Sequence, residues 1–443
     1  MFVEGSATLI VIVSVFLLFF LLGMGLPIFV SLGLTGVLGI IAISGLDGAL
    51  GLMQEGAFPA ISTYELVVVP LFVLMGHLAY QAGVTANAYE IGRKWLSNLR
   101  GGLALATILA CAAFGAACGS SVAASATMGR IAIPEMESQG YDRKLACASV
   151  AAGGLLAIMI PPSIILVLYA VFTDNSVGAC LLAGFLPGLL SAVIFMAGIS
   201  LLTRWNPRLA PPTRSYPWKE RFSSLMGGWK FVFLFLLVIG GIYGGLFTPT
   251  EAAAGGSLAA FCMMLAEGEK GWFSKVRESL SDALRTTTFI FIIIVCCSFY
   301  SYFLLTAGIP AALTEWIKGL QVPPIVVVVA CLALYLPLGC FLDPTSCMLI
   351  TLPLIYPVIV KELGYNPIWF GVLVTKMIEI GLLTPPVGFN VYTVAGIAPH
   401  VPIEEIFEGV TWFILFEMVS LALLIAFPAI STWLPAMMLA PAK

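Results

Sequence analysis

Two short polar clusters in this 443-residue chain interrupt apolar sequence and carry groups that could bind a cation. The first is Gly119-Ser120-Ser121, and the second is Asp343-Pro344-Thr345-Ser346. A proline pair follows each cluster, Pro161-Pro162 after the first and Pro385-Pro386 after the second. Because proline has no backbone N–H and disfavours the helical conformation in the residue before it, carbonyl groups near each pair lose their helical donors. Hydroxyl and carbonyl oxygens suit a hard cation, and the lack of a carboxylate cluster favours Na⁺ over a divalent ion.

Two cation sites are therefore predicted, each built from one cluster and one proline pair. The first consists of Gly119, Ser120, Ser121, Ala157, Ile160 and Pro161, and the second of Asp343, Thr345, Ser346, Thr384, Pro385 and Gly388. Two other interpretations stay open. The hydroxyl groups could only cap helices while the prolines kink them. Asp343 could bind a cation, cap the helix that follows it, or carry a proton.

Three charged residues fall inside apolar segments and are candidates for further roles. Arg130 lies deeper in its segment than snorkelling explains and could face an anionic substrate. Lys376 and Glu379 are three positions apart on a predicted helix. That spacing indicates a structural ion pair or, alternatively, a role in substrate charge balance or gating. His77 is more typical of a packed interhelical residue than of a proton relay.

The composition places these residues in a membrane. Charged residues make up 10% of the chain, hydrophobic residues 60%, and the mean hydropathy is +1.06. So few charges cannot cover a soluble surface, for which about 25% is usual. The net charge of −3 provides no basic surface for nucleic acid. The ten cysteines lie in apolar stretches without a CxxC pair, which argues against a disulfide framework or a zinc site.

The predicted elements are transmembrane helices and two re-entrant helical hairpins. Residues 103–138 and 325–362 each contain two apolar stretches of about 15–17 residues, short of the roughly 20 that a span needs. Each is interpreted as a hairpin whose tip stops inside the membrane. The predicted spans are 6–22, 26–44, 63–82, 145–173, 177–202, 229–247, 251–267, 286–306, 366–396 and 410–434. The first of them follows no basic segment and is interpreted as a retained helix rather than a signal peptide.

Three amphipathic pieces, 86–99, 272–284 and 310–320, are predicted to lie along the membrane surface. The proline-rich loop 206–221 is the predicted boundary between two halves of the chain. If the first hairpin opens towards the cytoplasm, most Lys and Arg residues fall on the cytoplasmic side. Lys318, Lys361 and Lys443 then fall on the outer side, as do both termini.

The two hairpin regions are related by an ungapped offset of 224 positions. Gly115 matches Gly339, Gly140-Tyr141 matches Gly364-Tyr365, and the two proline pairs match each other. By the charge distribution the hairpins open to opposite sides, so the repeat is predicted to be inverted. Inverted repeats with broken helices are typical of secondary transporters, whose sites lie near the middle of the membrane. Helix N-termini converging on one cavity would favour an anion beside the cations.

Several motifs resemble the large membrane subunit of tripartite ATP-independent periplasmic (TRAP) transporters, the DctM- and SiaM-like proteins of the ion-transporter superfamily. The resemblance covers nearly the whole chain, in order. At the first cluster many members have Gly-Ser-Gly-Pro, whereas this chain has Gly119-Ser120-Ser121-Val122. The matching motifs are Pro134-Glu135-Met136, Gly140-Tyr141-Asp142, Ile160-Pro161-Pro162-Ser163, Asp174, Ala183-Gly184 with Pro187-Gly188, Thr248-Pro249-Thr250-Glu251-Ala252 and Thr384-Pro385-Pro386-Val387-Gly388-Phe389-Asn390.

The resemblance implies an all-α polytopic fold with an inverted repeat, two re-entrant hairpins and an elevator-type mechanism. It divides the chain into N-terminal scaffold helices (1–82), a first repeat with hairpin and broken helix (83–203), central scaffold helices and interfacial segments (204–306), and a second repeat (307–443). The two repeats would form the transport domain. It also implies Na⁺ coupling, a separate four-helix membrane subunit, a periplasmic substrate-binding protein and a bacterial inner-membrane location.

The expected function is uptake of a small organic anion, a carboxylate or sulfonate, by Na⁺ symport and not an enzymatic reaction. A self-sufficient Na⁺/anion symporter and, with less support, a channel are the alternatives. The candidate substrate-binding residues are Ser125, Arg130, Ser163 and Asn390.

Overall fold

The computed structural model of the chain describes residues 2–211, 216–268, 271–319 and 322–439. Within these ranges every regular element is a helix, and nine helical segments are long and apolar enough to cross a membrane. The protein is therefore a multi-pass, all-helical membrane protein. The nine segments are Ile28–Gly56, Tyr64–Gln81, Arg143–Phe172, Val177–Trp205, Trp218–Tyr243, Trp272–Thr306, Pro324–Phe341, Pro344–Glu362 and Ile403–Ala426.

The helices follow one another with short connections. In the first half they are α1 (Phe2–Gly23), α2 (Ile28–Gly56), α3 (Val68–Gln81), α4 (Val84–Leu96), α5 (Gly102–Cys118), α6 (Ser121–Ser138), α7 (Arg143–Met159), α8 (Ile164–Phe172) and α9 (Val177–Trp205). The second half contains α10 (Trp218–Leu225), α11 (Trp229–Phe235), α12 (Gly241–Tyr243), α13 (Pro249–Ala266), α14 (Trp272–Thr306), α15 (Ile309–Gly319), α16 (Pro324–Ala333), α17 (Tyr335–Phe341), α18 (Pro344–Tyr356), α19 (Pro367–Gly381), α20 (Phe389–Ile397), α21 (Ile403–Ala426) and α22 (Ala429–Leu439). Short 3₁₀ turns cover Tyr64–Val67, Pro207–Leu209 and Met226–Gly228, and π-helical turns cover Leu236–Gly240 and Pro357–Glu362.

A short connection between two helices is present at each predicted hairpin, while the re-entrant placement of the tips inside the membrane stays a prediction. α5 and α6 are joined by two residues, Gly119 and Ser120, and α17 and α18 by Leu342 and Asp343. In the first hairpin the two arms pack along one another, whereas in the second α17 and α18 make few contacts with each other. The polar clusters of the sequence therefore lie at the tips of two helical hairpins.

Both predicted broken helices are present as well. The first is α7 followed by α8, with Ile160 to Ser163 between them, and the second is α19 followed by α20, with residues 382–388 between them. Every residue from Leu145 to Met159 and from Trp369 to Gly381 is buried. A helix that is buried on all sides lies at the centre of a bundle. The first break lies inside the protein, where polar backbone can be satisfied by neighbouring helices. At the second break Pro385 and Pro386 are exposed, although the helix that leads into it is buried.

The offset of 224 positions relates local structures as well as residues. Asp142 caps α7 by accepting hydrogen bonds from two backbone N–H groups, and Asn366 caps α19 in the same way. A β-carbon on Gly115 would lie 2.5 Å from Ala157 Cα, and one on Gly339 would lie 3.0 Å from Gly381 Cα. In each half, then, a glycine allows the hairpin's first arm to lie directly against the broken helix.

Three expectations differ from the structure. The predicted interfacial piece 272–284 is not a separate helix, because α14 continues without a break from Trp272 to Thr306. The predicted span 410–434 is divided between α21 and α22 at Pro428, which lacks the N–H needed to continue a helix. The arms of the second hairpin, Pro324–Phe341 and Pro344–Glu362, have 18 and 19 residues rather than the shorter lengths expected, because the helix turns continue across Leu334 and Pro357.

Of the other surface pieces, the predicted 86–99 corresponds to α4 and 310–320 to α15, although residue 320 lies outside the described ranges. Residues 212–215 of the central loop and Lys443 also lie outside them.

Candidate functional site

The tip of the first hairpin packs directly against the first chain break. Gly119 adopts a left-handed conformation, with φ of +62°, and a β-carbon there would lie 2.8 Å from Pro162 O. Glycine therefore serves two purposes at this position, the turn and the close approach. Ser120 caps α6, since its Oγ accepts a hydrogen bond from Ala123 N at 3.4 Å. The hairpin tip and the chain break, which together make up the first predicted cation site, are therefore in contact.

The first break exposes backbone carbonyl groups, as its prolines predict. Leu156 O still accepts a hydrogen bond from Ile160 N at 2.9 Å. The next two carbonyls, of Ala157 and Ile158, would accept from residues 161 and 162, which are prolines and have no N–H. These oxygens are compatible with Na⁺, which takes neutral oxygen ligands.

Ser163 is fully buried and has a capping role. Its Oγ accepts a hydrogen bond from Leu166 N at 3.2 Å, which begins α8. Ser125, another candidate for substrate binding, is buried against α7, with its Oγ 3.5 Å from Val150 O. The structure therefore gives both serines contacts within the helical packing.

At the second tip Asp343 caps the returning helix. Its carboxylate accepts hydrogen bonds from Thr345 N at 3.0 Å, Ser346 N at 3.2 Å and Ser346 Oγ at 2.5 Å. Cys340 Sγ lies 3.3 Å from Pro385 O, so the second tip region contacts the second break. Of the roles considered for Asp343, helix capping is the one whose geometry is present.

The carbonyl groups at the second break are satisfied differently from those at the first. Gly381 O accepts a hydrogen bond from Thr384 N at 3.1 Å, and Leu382 O accepts one from Asn390 N at 3.2 Å. Thr384 Oγ1 donates to Ile380 O at 2.7 Å, and Gly388 adopts a left-handed conformation with φ of +61°. The second break is thus a compact, internally bonded turn, in contrast to the first.

Asn390 connects the two halves of the site. Its Nδ2 donates to Ser121 Oγ at 2.5 Å and to Ala151 O at 3.0 Å. The side chain is fully buried, and its Oδ1 has no hydrogen-bond partner. A buried acceptor without a donor is unfavourable by about 1–3 kcal/mol, so this oxygen is suited to an additional ligand such as a cation.

Arg130 and Ser120 line one cavity of about 340 Å³ between the first hairpin, α3 and α14. Arg130 is exposed to it from α6. Asp343 lines a different cavity, of about 530 Å³, with Val387 and Phe389. The two tips therefore open onto separate cavities, and the prediction that the helix N-termini converge on one cavity is wrong for these two.

The first cavity contains residues that the sequence analysis did not assign to the site. Glu278 and Asp282 face it from α14, four positions apart, and Gln81 Nε2 donates to Glu278 Oε2 at 3.3 Å. His77, interpreted as a packing residue, lines it too. The i, i+4 spacing of the two acids was visible in the sequence, but their place in the same cavity as Arg130 depends on how α14 packs.

Known proteins resemble this chain in fold and in sequence. The transporter YdaH of Alcanivorax borkumensis aligns with a TM-score of 0.60 over 87% of this chain and 89% of that one, at 14% sequence identity. At that identity the likeness concerns the fold alone. A "C4-dicarboxylate TRAP transporter large permease protein DctM" of Pseudomonas aeruginosa is 33% identical over 91% of this chain and 93% of its own length. An "Isethionate TRAP transporter permease protein DctMQ" of Oleidesulfovibrio alaskensis is 29% identical over 93% of this chain and 63% of its own length.

The sequence profile of the "Tripartite ATP-independent periplasmic transporter, DctM component" family matches residues 15–430, nearly the whole chain. Together with the helical membrane fold, this match confirms the resemblance seen in the motifs. The chain belongs to the DctM family of TRAP transporter large permeases and is a transport protein, not an enzyme.

Proposed function

We propose that this protein imports a small organic anion, a carboxylate or sulfonate, across the bacterial inner membrane in symport with Na⁺. The observation that carries the proposal is the shared cavity of Arg130 and Ser120. A guanidinium group binds carboxylate, and sulfonate offers the same negatively charged oxygens. The Arg130 guanidinium lies in the same cavity as the Ser120 hydroxyl of the first predicted cation site, so an anion and a cation bound there would attract each other. Glu278 and Asp282 line this cavity too, so the bound cation would also offset their negative charge.

The Na⁺ sites are proposed at the two tips and breaks. For the first, the support is the pair of carbonyl groups at Ala157 and Ile158 and the unpartnered Asn390 Oδ1. For the second, the support is the carboxylate of Asp343 beside the second break. In both cases the chain would supply oxygen ligands to Na⁺. At the first site the bound Na⁺ would also attract the substrate anion, because Ser120 and Arg130 line the same cavity.

An elevator mechanism is proposed for the movement. The two repeats, 83–203 and 307–443, would move as a transport domain against scaffold segments 1–82 and 204–306. The support is that the hairpin-to-helix contact at Gly115 and Ala157 recurs at Gly339 and Gly381. Since the Lys and Arg distribution orients the two copies oppositely, an inverted repeat would offer the site to each side of the membrane in turn.

Two partners are proposed, a small four-helix membrane subunit and a periplasmic substrate-binding protein. The isethionate permease, named DctMQ, is longer than its match to this chain, which covers 63% of it. The permeases named for C4-dicarboxylates and isethionate are consistent with a carboxylate or sulfonate substrate.

The decisive experiment is uptake into proteoliposomes, with and without a Na⁺ gradient, the small subunit and the binding protein. Uptake is expected only when all three are supplied. Uptake with Na⁺ but without partners would instead support a self-sufficient symporter. Ion conductance without binding protein or gradient coupling would support a channel, and uptake indifferent to all three components would reject the proposal.

A further inference from the structure

Three charged side chains meet in the middle of the helical bundle, away from both hairpin tips. Lys376 Nζ on α19 lies 2.6 Å from Glu379 Oε2 on the same helix and 2.7 Å from Glu417 Oε2 on α21. It also donates to Ser191 Oγ on α9 at 2.8 Å, and that hydroxyl lies 3.0 Å from Ser420 Oγ. The predicted Lys376–Glu379 ion pair is therefore present, with a second carboxylate that the sequence did not indicate.

The cluster is closed to solvent. All three charged side chains are 0% exposed. The other oxygen of each carboxyl group, Glu379 Oε1 and Glu417 Oε1, is buried without a hydrogen-bond partner. Carboxylate oxygens in such a position lack the donors that stabilise a negative charge.

The formal charges do not balance. One ammonium group faces two carboxylates, which leaves a net charge of −1 inside an apolar bundle if all three are ionised. An uncompensated charge in this environment is costly, and two carboxyl groups close to one another cannot both ionise easily. The bundle therefore needs one further positive charge at this place.

The neighbouring helices do not provide it. α7 packs against α19 and α21, but its charged residues are Arg143 and Lys144 in its first turn, and Lys144 pairs with Glu408 instead. α9 contacts Lys376 through the hydroxyl of Ser191, which carries no charge.

Three titratable side chains on α8 and α17 bond elsewhere. Tyr169 on α8 donates to Pro367 O, and Tyr335 on α17 is bonded to Thr351. Cys340 on α17 lies against Leu336 O and Pro385 O. Within the described residues, none of the other titratable groups on the elements packed against α19 or α21 forms a hydrogen bond or ion pair with Glu379 or Glu417; they include Cys180 and Arg204 on α9, Cys331 on α16, Cys347 and Tyr356 on α18, Lys361 and Glu362 in the π-helical turn, and Tyr392 on α20. Among the described residues, Lys376 is the only cation that forms an ion pair with either carboxylate.

We propose that Lys376, Glu379 and Glu417 form a proton-binding site, in which one of the two carboxyl groups is protonated at neutral pH. The bound proton makes the cluster neutral and so permits α9, α19 and α21 to pack around it. The proton takes no part in coupling: it stays in place during transport. This site is separate from the Na⁺ sites at the hairpin tips and does not depend on the proposed substrate.

The first test is infrared difference spectroscopy of the purified protein at neutral pH. The spectrum of the wild type is compared with that of Glu379→Gln and with that of Glu417→Gln. At least one of the two difference spectra is expected to show the carbonyl stretch of a protonated carboxylic acid. Glu404→Gln, at an exposed acid in the first turn of α21, is the matched control and should show no such band. Absence of the band from both cluster variants would overturn the proposal.

The second test is thermal unfolding as a function of pH. Near neutral pH the folded state binds one more proton than the unfolded chain, whose glutamates are ionised, so stability must fall as the pH rises and the proton leaves. The wild type's melting temperature should therefore fall as the pH rises above about 4.3, the pKa of an unfolded glutamate, and the fall should end once the proton has left the folded state. The variant that lacks the protonated carboxyl group should show a smaller fall over the same pH range. An equal fall in wild type, Glu379→Gln and Glu417→Gln would contradict a bound proton.

Two further measurements distinguish a permanently bound proton from a bound Na⁺ and from a proton that is transported. If Na⁺ held the place instead, raising the Na⁺ concentration would raise the melting temperature of the wild type by more than that of either Gln variant, because the Na⁺ sites proposed at the hairpin tips are present in all three proteins. If the proton were coupled to transport, a pH gradient alone would drive uptake in the wild type and not in either variant. Either outcome would overturn a static proton site.

Discussion

The side chain of Asn390 donates a hydrogen bond to the hydroxyl of Ser121, 269 positions earlier in the chain. Asn390 lies in the first turn of α20, just after the second break, and Ser121 begins the returning arm of the first hairpin. The same amide group also donates to Ala151 O in α7. Elements of both halves of the sequence are thus joined by one buried carboxamide.

Replacing Asn390 by alanine is expected to lower stability and weaken the Na⁺ dependence of uptake. The change leaves Ala151 O and Ser121 Oγ without this donor, and buried groups left this way cost about 1–3 kcal/mol. Thr393→Ala, one turn later on the same helix, is the matched control, because Thr393 Oγ1 donates only within α20, to Phe389 O. Melting curves and Na⁺ titrations of uptake measure the two effects, and identical behaviour of both variants would contradict the prediction.

Substitution of Asp343 separates its capping role from a ligand role. Asp343→Asn retains an oxygen that can cap α18, so the melting temperature should change little. The loss of its charge should shift the Na⁺ titration of uptake to higher concentration. Asp343→Ala should lower both stability, by about 1 kcal/mol for the lost cap, and Na⁺ dependence. If Asp343→Asn titrates with Na⁺ as the wild type does, Asp343 is only a cap.

Ser120→Ala tests the first tip in the same way. It removes a hydroxyl from the proposed Na⁺ site and should raise the Na⁺ concentration needed for half-maximal uptake. Ser138→Ala is a suitable control, because Ser138 lies at the other end of α6 and its Oγ donates to Glu135 O. Unchanged Na⁺ titrations in both Ser120→Ala and Asp343→Ala would reject the assignment of cation sites to the tips.

Arg130→Gln should impair uptake of an anionic substrate by raising its KM. A hydrogen bond to a charged group contributes about 1.5–3 kcal/mol, so a rise of roughly tenfold or more is expected. Arg130→Lys keeps the charge but loses the planar fork and should be intermediate. The control is Arg143→Gln, at an exposed arginine 4.0 Å from Glu137. Equal kinetics for wild type and Arg130→Gln would exclude a contact with the substrate.

The hairpin contacts can be tested by adding single methyl groups. Gly115→Ala would place Cβ 2.5 Å from Ala157 Cα, and the overpacking should cost about 1–3 kcal/mol. Gly339→Ala meets Gly381 Cα at 3.0 Å and should be milder. Gly255→Ala, on α13 with no atom within 4 Å of the added carbon, should be neutral or stabilising. The melting temperatures of the three variants measure this order of stability. Equal melting temperatures would contradict the prediction, because they would mean that the hairpin arm and the broken helix can move apart at no cost in stability.

Much of the fold was predictable because it depends on residues close together in the chain. Apolar runs of sufficient length predict membrane helices, and Gly119 and Pro161-Pro162 interrupt a helix whatever surrounds them. Local sequence failed where an amphipathic stretch continues into an apolar one without a break. The amphipathic start of α14 looked like a separate surface helix, yet no proline or glycine divides it from the apolar remainder between Trp272 and Thr306.

The candidate site was predictable in its parts and not in its arrangement. The sequence alone determined the membrane location, the two hairpins with their polar tips, the proline-broken helices and the offset of 224 positions that relates them. Only the tertiary structure decided that Asn390 bonds Ser121, that Glu417 joins Lys376 and Glu379, and that Glu278 shares a cavity with Arg130. Helix breaks follow from the backbone chemistry of a few neighbouring residues. Contacts between distant helices depend on how whole apolar surfaces pack, which no local pattern specifies.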